Sequence, residues 1–149
     1  MTYFDMPDQG GDGLGWLIVS DQPSDRDARQ HQIAVWRDSN PGWFELVDEL
    51  DRHLGYVSPQ YRIDQIKEKF GGLRFYAKFV PHSDDSPERV RVAAQLFRRL
   101  IDETERRSWD HCDQCGDPAN LYQTSEGWLY TACVPHVRDE NDERVTVRE

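Results

Sequence analysis

Three cysteines and one histidine stand at Cys112-Asp-Gln-Cys115 and Cys133-Val-Pro-His136, and the 149 residues contain no other cysteine. Two ligands separated by two residues form a knuckle whose turn aims both side chains at one point. A second pair with the same spacing completes a tetrahedron around a metal ion. A disulfide framework wants an even cysteine count, whereas three thiolates and one imidazole make a closed zinc site. Gly116 follows Cys115, where a knuckle backbone often needs positive φ. Cys112, Cys115, Cys133 and His136 are therefore predicted to bind Zn2+. Four protein ligands leave no position for water, so the predicted role is structural rather than catalytic. His111 competes with His136 for the fourth place, but it sits tightly against Cys112 and lacks the two-residue spacing.

Other chemistry is sparsely provided for. No Gly-x-Ser-x-Gly elbow, phosphate-binding glycine loop or His-Glu-x-x-His helix occurs, and His31, His53 and His82 are scattered. Asp84-Asp85 beside His82 reads as a capping loop before Ser86. Asp64 and Glu68, expected on an apolar face, are the acids whose pKa burial would raise. The chain reads as non-enzymatic, with an unrecognised hydrolase or nuclease as one alternative.

A net charge of -10 argues against indiscriminate nucleic-acid binding, because that affinity comes from basic residues neutralising phosphates. The average hides a contrast. Residues 61–80 hold five cations against two anions, a local +3, and include all three lysines of the chain. No run approaches the ~18 apolar residues of a membrane span. The first residues, Met-Thr-Tyr-Phe-Asp-Met-Pro-Asp, are acidic where a secretory signal is basic and then apolar. A cytoplasmic location is expected, where thiols stay reduced.

The elements that must position these residues follow from periodicity. Residues 1–13 read as a flexible, glycine-rich leader and 14–110 as an α+β domain. Residues 111–136 read as a zinc-ribbon-like module and 137–149 as a charged tail that frays. Trp16-Leu-Ile-Val19 and Ile33-Ala-Val-Trp36 read as two short strands joined by a polar loop. Pro41 to Gly55 is an amphipathic helix, with Trp43, Leu46, Val47, Leu50 and Leu54 on one side, Asn40 as cap and Gly55 as stop. A long helix opens at Ser86-Pro87 and runs to Trp109, carrying Asp102–Arg106 and Glu103–Arg107 pairs. Leu121–Thr124 and Gly127–Thr131 form a small hairpin between the ligand pairs. The fold class is α+β: a small antiparallel sheet packed with two helices, plus the C-terminal module.

Gly71-Gly72 separates two strand-like runs and predicts a two-residue hairpin turn. Phe70 then faces Leu73, and Lys69 faces Arg74. One face carries Phe70, Leu73, Phe75, Ile66, Ala77 and Phe79 towards the core, together with Asp64 and Glu68. The other is a basic stripe of Lys67, Lys69, Arg74, Tyr76 and Lys78. Such a stripe suits an acidic or phosphorylated partner, and Tyr76 could stack on a base. The competing reading is neutralisation by acids of the helix at 41–55.

Taken together, Lys67-Glu-Lys-Phe-Gly-Gly-Leu-Arg-Phe-Tyr76, the Gly-Trp-led helix at Pro41-Gly-Trp-Phe44 and the terminal C-x2-C...C-x2-H module resemble a family of small bacterial and phage proteins. The resemblance covers residues 41–136. It implies a compact α+β domain with a zinc module, liganded by Cys112, Cys115, Cys133 and His136, and it implies no particular reaction. The expected function is a zinc-containing binding or adaptor protein. A protein partner is favoured, and a nucleic-acid-binding regulator using residues 61–80 and the ribbon is the alternative.

Overall fold

A computed structural model describes residues 24–146 and shows an α+β architecture of three α-helices and two small antiparallel sheets. Residues 1–13 and the strand expected around Trp16–Val19 lie outside the described residues.

The first described element is helix α1, Asp25–Arg37, where a loop and a strand were expected. Its start is written locally: the Ser24 hydroxyl accepts from the Asp27 amide while the Asp27 carboxylate accepts from the Ser24 amide, a reciprocal cap. Arg29, Ile33 and Trp36 fall at helical spacing and are all buried. The apolar run Ile33–Trp36 is therefore two core contacts of a helix face rather than a strand.

Pro41–Trp43 forms a 3-10 turn that leads into α2, Phe44–Val57. Leu46, Val47, Leu50 and Leu54 are buried as their spacing requires. Two details differ from expectation. Asn40 makes no side-chain cap hydrogen bond, and the helix runs through Gly55 to Val57. Gly55 lies beside Arg29, whose guanidinium would be 3.3 Å from an added Cβ.

Strands β1 (Arg62–Lys69) and β2 (Gly72–Lys78) form the expected hairpin, but Lys69 pairs with Gly72, Lys67 with Arg74 and Ile66 with Phe75. The two-residue turn is Phe70-Gly71, one position earlier than Gly71-Gly72. Moving the turn by one residue moves each partner by two, so the faces survive while the pairs change. Phe70 is the casualty. It sits in the turn at φ 55 and is 64% exposed, not in the core. A bulge between Ile63 and Gln65 changes the phase of the strand start. Ile63 is thereby buried, while Asp64 is exposed and lies 3.9 Å from the Lys78 ammonium. Glu68 is exposed as well, accepting from the Gly71 amide at 2.6 Å.

Helix α3, Pro87–Ser108, is capped by Ser86 as its sequence requires. Its ion pairs include Arg91–Glu88, Arg98–Asp102, Arg106–Glu103 and Arg107–Glu49. It covers the outer edge of β2 through side chains: Ser108 Oγ accepts from the Leu73 amide at 2.9 Å and Glu105 from the Phe75 amide at 2.8 Å. Phe97 packs edge-on to Tyr61 and Phe79 in the core below. The second sheet has the order β4-β3-β5, with β3 Asn120–Gln123, β4 Leu129–Ala132 and β5 Glu143–Val145. β5 comes from the segment expected to fray. Nearby, Arg138 stacks on Tyr130 at 4.1 Å, and Tyr130 donates to Asp142.

Candidate metal centre

The ligand atoms of Cys112, Cys115, Cys133 and His136 all lie within 4.8 Å of one another. Cys115 and Cys133 sulfurs are 3.6 Å apart, and His136 Nδ1 is 3.6 Å from Cys112 Sγ and 3.0 Å from Cys133 Sγ. Each pair is held by its own turn. In the first, the Gln114 amide donates to Cys112 Sγ and the Asp117 amide to Cys115 Sγ, each two residues on. Gly116, at φ +84, makes the turn possible. In the second, Val134–His136 is a 3-10 turn directly after Cys133. Strands β3 and β4 bring the two turns together.

The two thiols of the first knuckle are shifted in opposite directions. Burial opposes ionisation of Cys112, but amide donors at Cys133, Gln114 and Cys115 outweigh it and hold the thiol below its usual range. For Cys115 the Asp117 amide pulls downward, yet desolvation and the Cys133 and Cys112 thiols beside it push the value up to about 11. Neighbouring thiols resist joint ionisation unless a metal neutralises them, so the arrangement is compatible with a metal site. His111 is not part of it: its Nδ1 lies 3.1 Å from the Gly116 carbonyl, and its own carbonyl accepts from Trp43 Nε1 at 2.9 Å.

That last contact belongs to a tight joint between centre and core. The Gly42 amide donates to the Asp113 carbonyl at 2.9 Å, and a Cβ on Gly42 would stand 2.0 Å from the Cys112 carbonyl and 2.6 Å from the Gly116 nitrogen. Both obstacles are backbone atoms of the knuckle and cannot swing aside. Gly42→Ala should therefore cost at least the 1–3 kcal/mol typical of overpacking, read as a lower urea midpoint; an unchanged midpoint would mean that the joint is not formed. On the other side, Thr131 Oγ1 donates to the Gly71 carbonyl and Leu121 packs where a Gly71 Cβ would be. The Pro41-Gly42-Trp43 and Gly71-Gly72 signatures are thus two docking points for the same centre.

An open groove of about 810 Å³ lies between the start of α2, the end of α3 and the knuckle, lined by Phe44, Glu45, Asp48, Arg107 and Cys115 among others. His111 also lines it, with its Nδ1 turned to the Gly116 carbonyl. His82, Asp84 and Asp85 stay in the loop before α3, joined only by an Asp85 amide to His82 carbonyl bond.

The basic stripe is only partly neutralised. Arg74 lies 3.9 Å from Glu105 on α3, and Lys78 is the same distance from Asp64 in the bulge. Lys67 and Lys69 have no ion-pair partner among the described residues; their ammonium groups lie over the rings of Tyr76 and Phe70, at 5.7 and 5.5 Å. The bulge also brings Arg62, opposite Lys78, onto this face. The strictly alternating reading missed it, since no sequence signal marks the bulge.

A second polar constellation escaped sequence reasoning. Arg29 Nε donates to Asp51 at 2.7 Å, Gln30 donates to the other carboxylate oxygen at 2.6 Å, and Tyr61 OH donates to Asp51 at 2.5 Å. Burial first, then the Asp51 carboxylate, keeps the Tyr61 phenol protonated far above its usual range. The group is sealed, with Arg29 and Asp51 only 3% and 1% exposed, so it holds structure. No helix among the described residues is long and apolar enough to cross a membrane. Comparison with protein-family models, curated proteins and solved structures yields no match to this chain.

Proposed function

We propose that this protein is a non-enzymatic binding or adaptor module, stabilised by structural zinc, that contacts an acidic protein partner through the exposed face of β1 and β2. Support for zinc comes from the donor set. Soft thiolates and an imidazole select it, and a tetrahedron with Zn–S bonds of about 2.3 Å sets neighbouring sulfurs near the 3.6 Å found between Cys115 and Cys133. Zinc would supply cross-linking of the two turns and nothing reactive, since all four positions are taken by the chain.

The observation that carries the binding reading is the pair Lys67 and Lys69, without ion-pair partners on a face that also holds Arg62, Arg74 and Lys78. In a chain of net charge -10, this face attracts an acidic partner while the surrounding surface repels it from wrong orientations. A long polyanion such as nucleic acid meets that repulsion along its whole length, which favours a protein.

The test is affinity capture with wild-type protein and with Lys67→Glu/Lys69→Glu. A partner retained by wild type should bind the folded, metal-loaded double variant about tenfold or more weakly. Equal affinity would remove the stripe from the mechanism and shift attention to Trp128, which is 72% exposed on the ribbon hairpin.

A further inference from the structure

The two edges of the β1–β2 sheet are treated differently. On β2, the outward amides of Leu73 and Phe75 are taken by Ser108 and Glu105. Their cross-strand partners are Glu68 and Ile66. In an antiparallel pair, residues opposite one another share the same orientation, so the backbone groups of Ile66 and Glu68 point away from β2 on the far edge. No hydrogen bond from any described residue satisfies them. Helix α1 is bonded to the beginning of this edge, where Gln32 donates to the Ile63 carbonyl at 3.0 Å.

Alongside the open edge runs a groove of about 420 Å³ between α1 and β1, lined by His31, Val35, Trp36, Ile63 and Ile66 among others. Val35 is 67% exposed, and the indole Nε1 of Trp36, a buried residue, has no acceptor among the described residues. An unpaired strand edge beside an apolar groove and a helix accommodates an extended chain. Lys67 and Lys69 select which chain. Lysines on an edge deter pairing with a second copy, because like charges would face each other, and they admit an acidic strand.

We infer that the edge of β1 left open by the described residues takes an extended protein segment as a further strand, with carboxylates opposite Lys67 and Lys69 and alternate apolar side chains in the groove against Val35 and Ile66. Same-face residues of a strand repeat at about 6.8 Å, so acids two positions apart on the guest match the two lysines. The inference rests on the proposed binding role of the basic face and adds the class of partner and its mode of docking.

The experiment uses the full chain with bound metal and the probe acetyl-Val-Glu-Val-Glu-Val-Glu-Val-amide. Hydrogen exchange at the Ile66 and Glu68 amides should slow at least tenfold on peptide addition. Two N-methylated versions of the probe, blocked at alternate residues, should behave differently: one set of amides faces β1 and its methylation abolishes binding, while the other leaves it intact. Lys67→Glu/Lys69→Glu should weaken binding at least tenfold. Equal binding of both methylated peptides, with the charge-reversal effect retained, would overturn strand addition and leave the basic-face reading standing. An absent charge-reversal effect would count against that reading itself. Absence of peptide binding at 1 mM, protection of both amides before peptide is added, or displacement of the peptide by equimolar oligothymidylate would each overturn the inference.

Discussion

Stripping the metal, by chelation or by Cys115→Ser, should unfold far more than the ribbon. Structural zinc contributes folding free energy on the order of 10 kcal/mol in small sites, comparable with the whole stability of a domain, about 5–15 kcal/mol. Here the centre is built into the core. Gly42 rests on the Cys112 carbonyl, fully buried Trp43 donates to the His111 carbonyl, and the hairpin tip at Gly71 is bound by Thr131. Loss of the knuckle removes one wall of the cavity that holds Trp43, so α2 and the β1–β2 hairpin lose their anchors together. Near-ultraviolet circular dichroism should therefore collapse along with metal content, in a single transition that restoring the metal reverses. Apo protein that unfolds at the same midpoint as the metal-bound form would refute both the structural role and the coupling.

Asp51→Ala should destabilise the protein by about 3–5 kcal/mol, because it leaves a buried guanidinium without its counter-ion. Arg29 is held at 3% exposure by Asp51, by the Pro59 and Tyr61 carbonyls and by the Tyr61 ring 4.1 Å away. Without the carboxylate, Gln30 and the Tyr61 hydroxyl lose their acceptor too. Replacing both ions by apolar groups of similar size, Arg29→Met with Asp51→Leu, should cost much less than the sum of the single changes, since no charge is left stranded. Urea denaturation at constant m-value measures all three. A single change costing under about 1 kcal/mol would mean that water reaches the pair.

The groups this sequence determined by itself are those whose energetics are local. The C-x2-C and C-x2-H spacings specify two turns that aim their ligands inward, and all four side chains lie together. The 3.6-residue rhythm of Leu46, Val47, Leu50 and Leu54 needs only one apolar surface to become α2. Alternation along Leu73–Phe75 likewise assigns β2 its core face whatever the register. The reciprocal cap at Ser24 and Asp27 was equally legible, and it would have corrected the strand expected at Ile33–Trp36.

Tertiary structure decided everything that required a distant partner. The turn sits at Phe70-Gly71 rather than at the two glycines, which leaves Gly72 in β2 against the indole of Trp109 while Gly71, within the turn, packs against Leu121 and Tyr130. No local rule marks the bulge that buries Ile63 and brings Arg62 to the basic face, since it answers to the core beneath it. The burial of Arg29 becomes favourable only once Asp51, 22 residues away, is in place. β5 likewise exists only because β3 offers it an edge. Short-range periodicity and ligand spacing carry their free energy within a few residues and are readable from the chain. Register, buried ion pairs and edge strands draw theirs from contacts across the fold, and the order of residues alone does not contain those contacts.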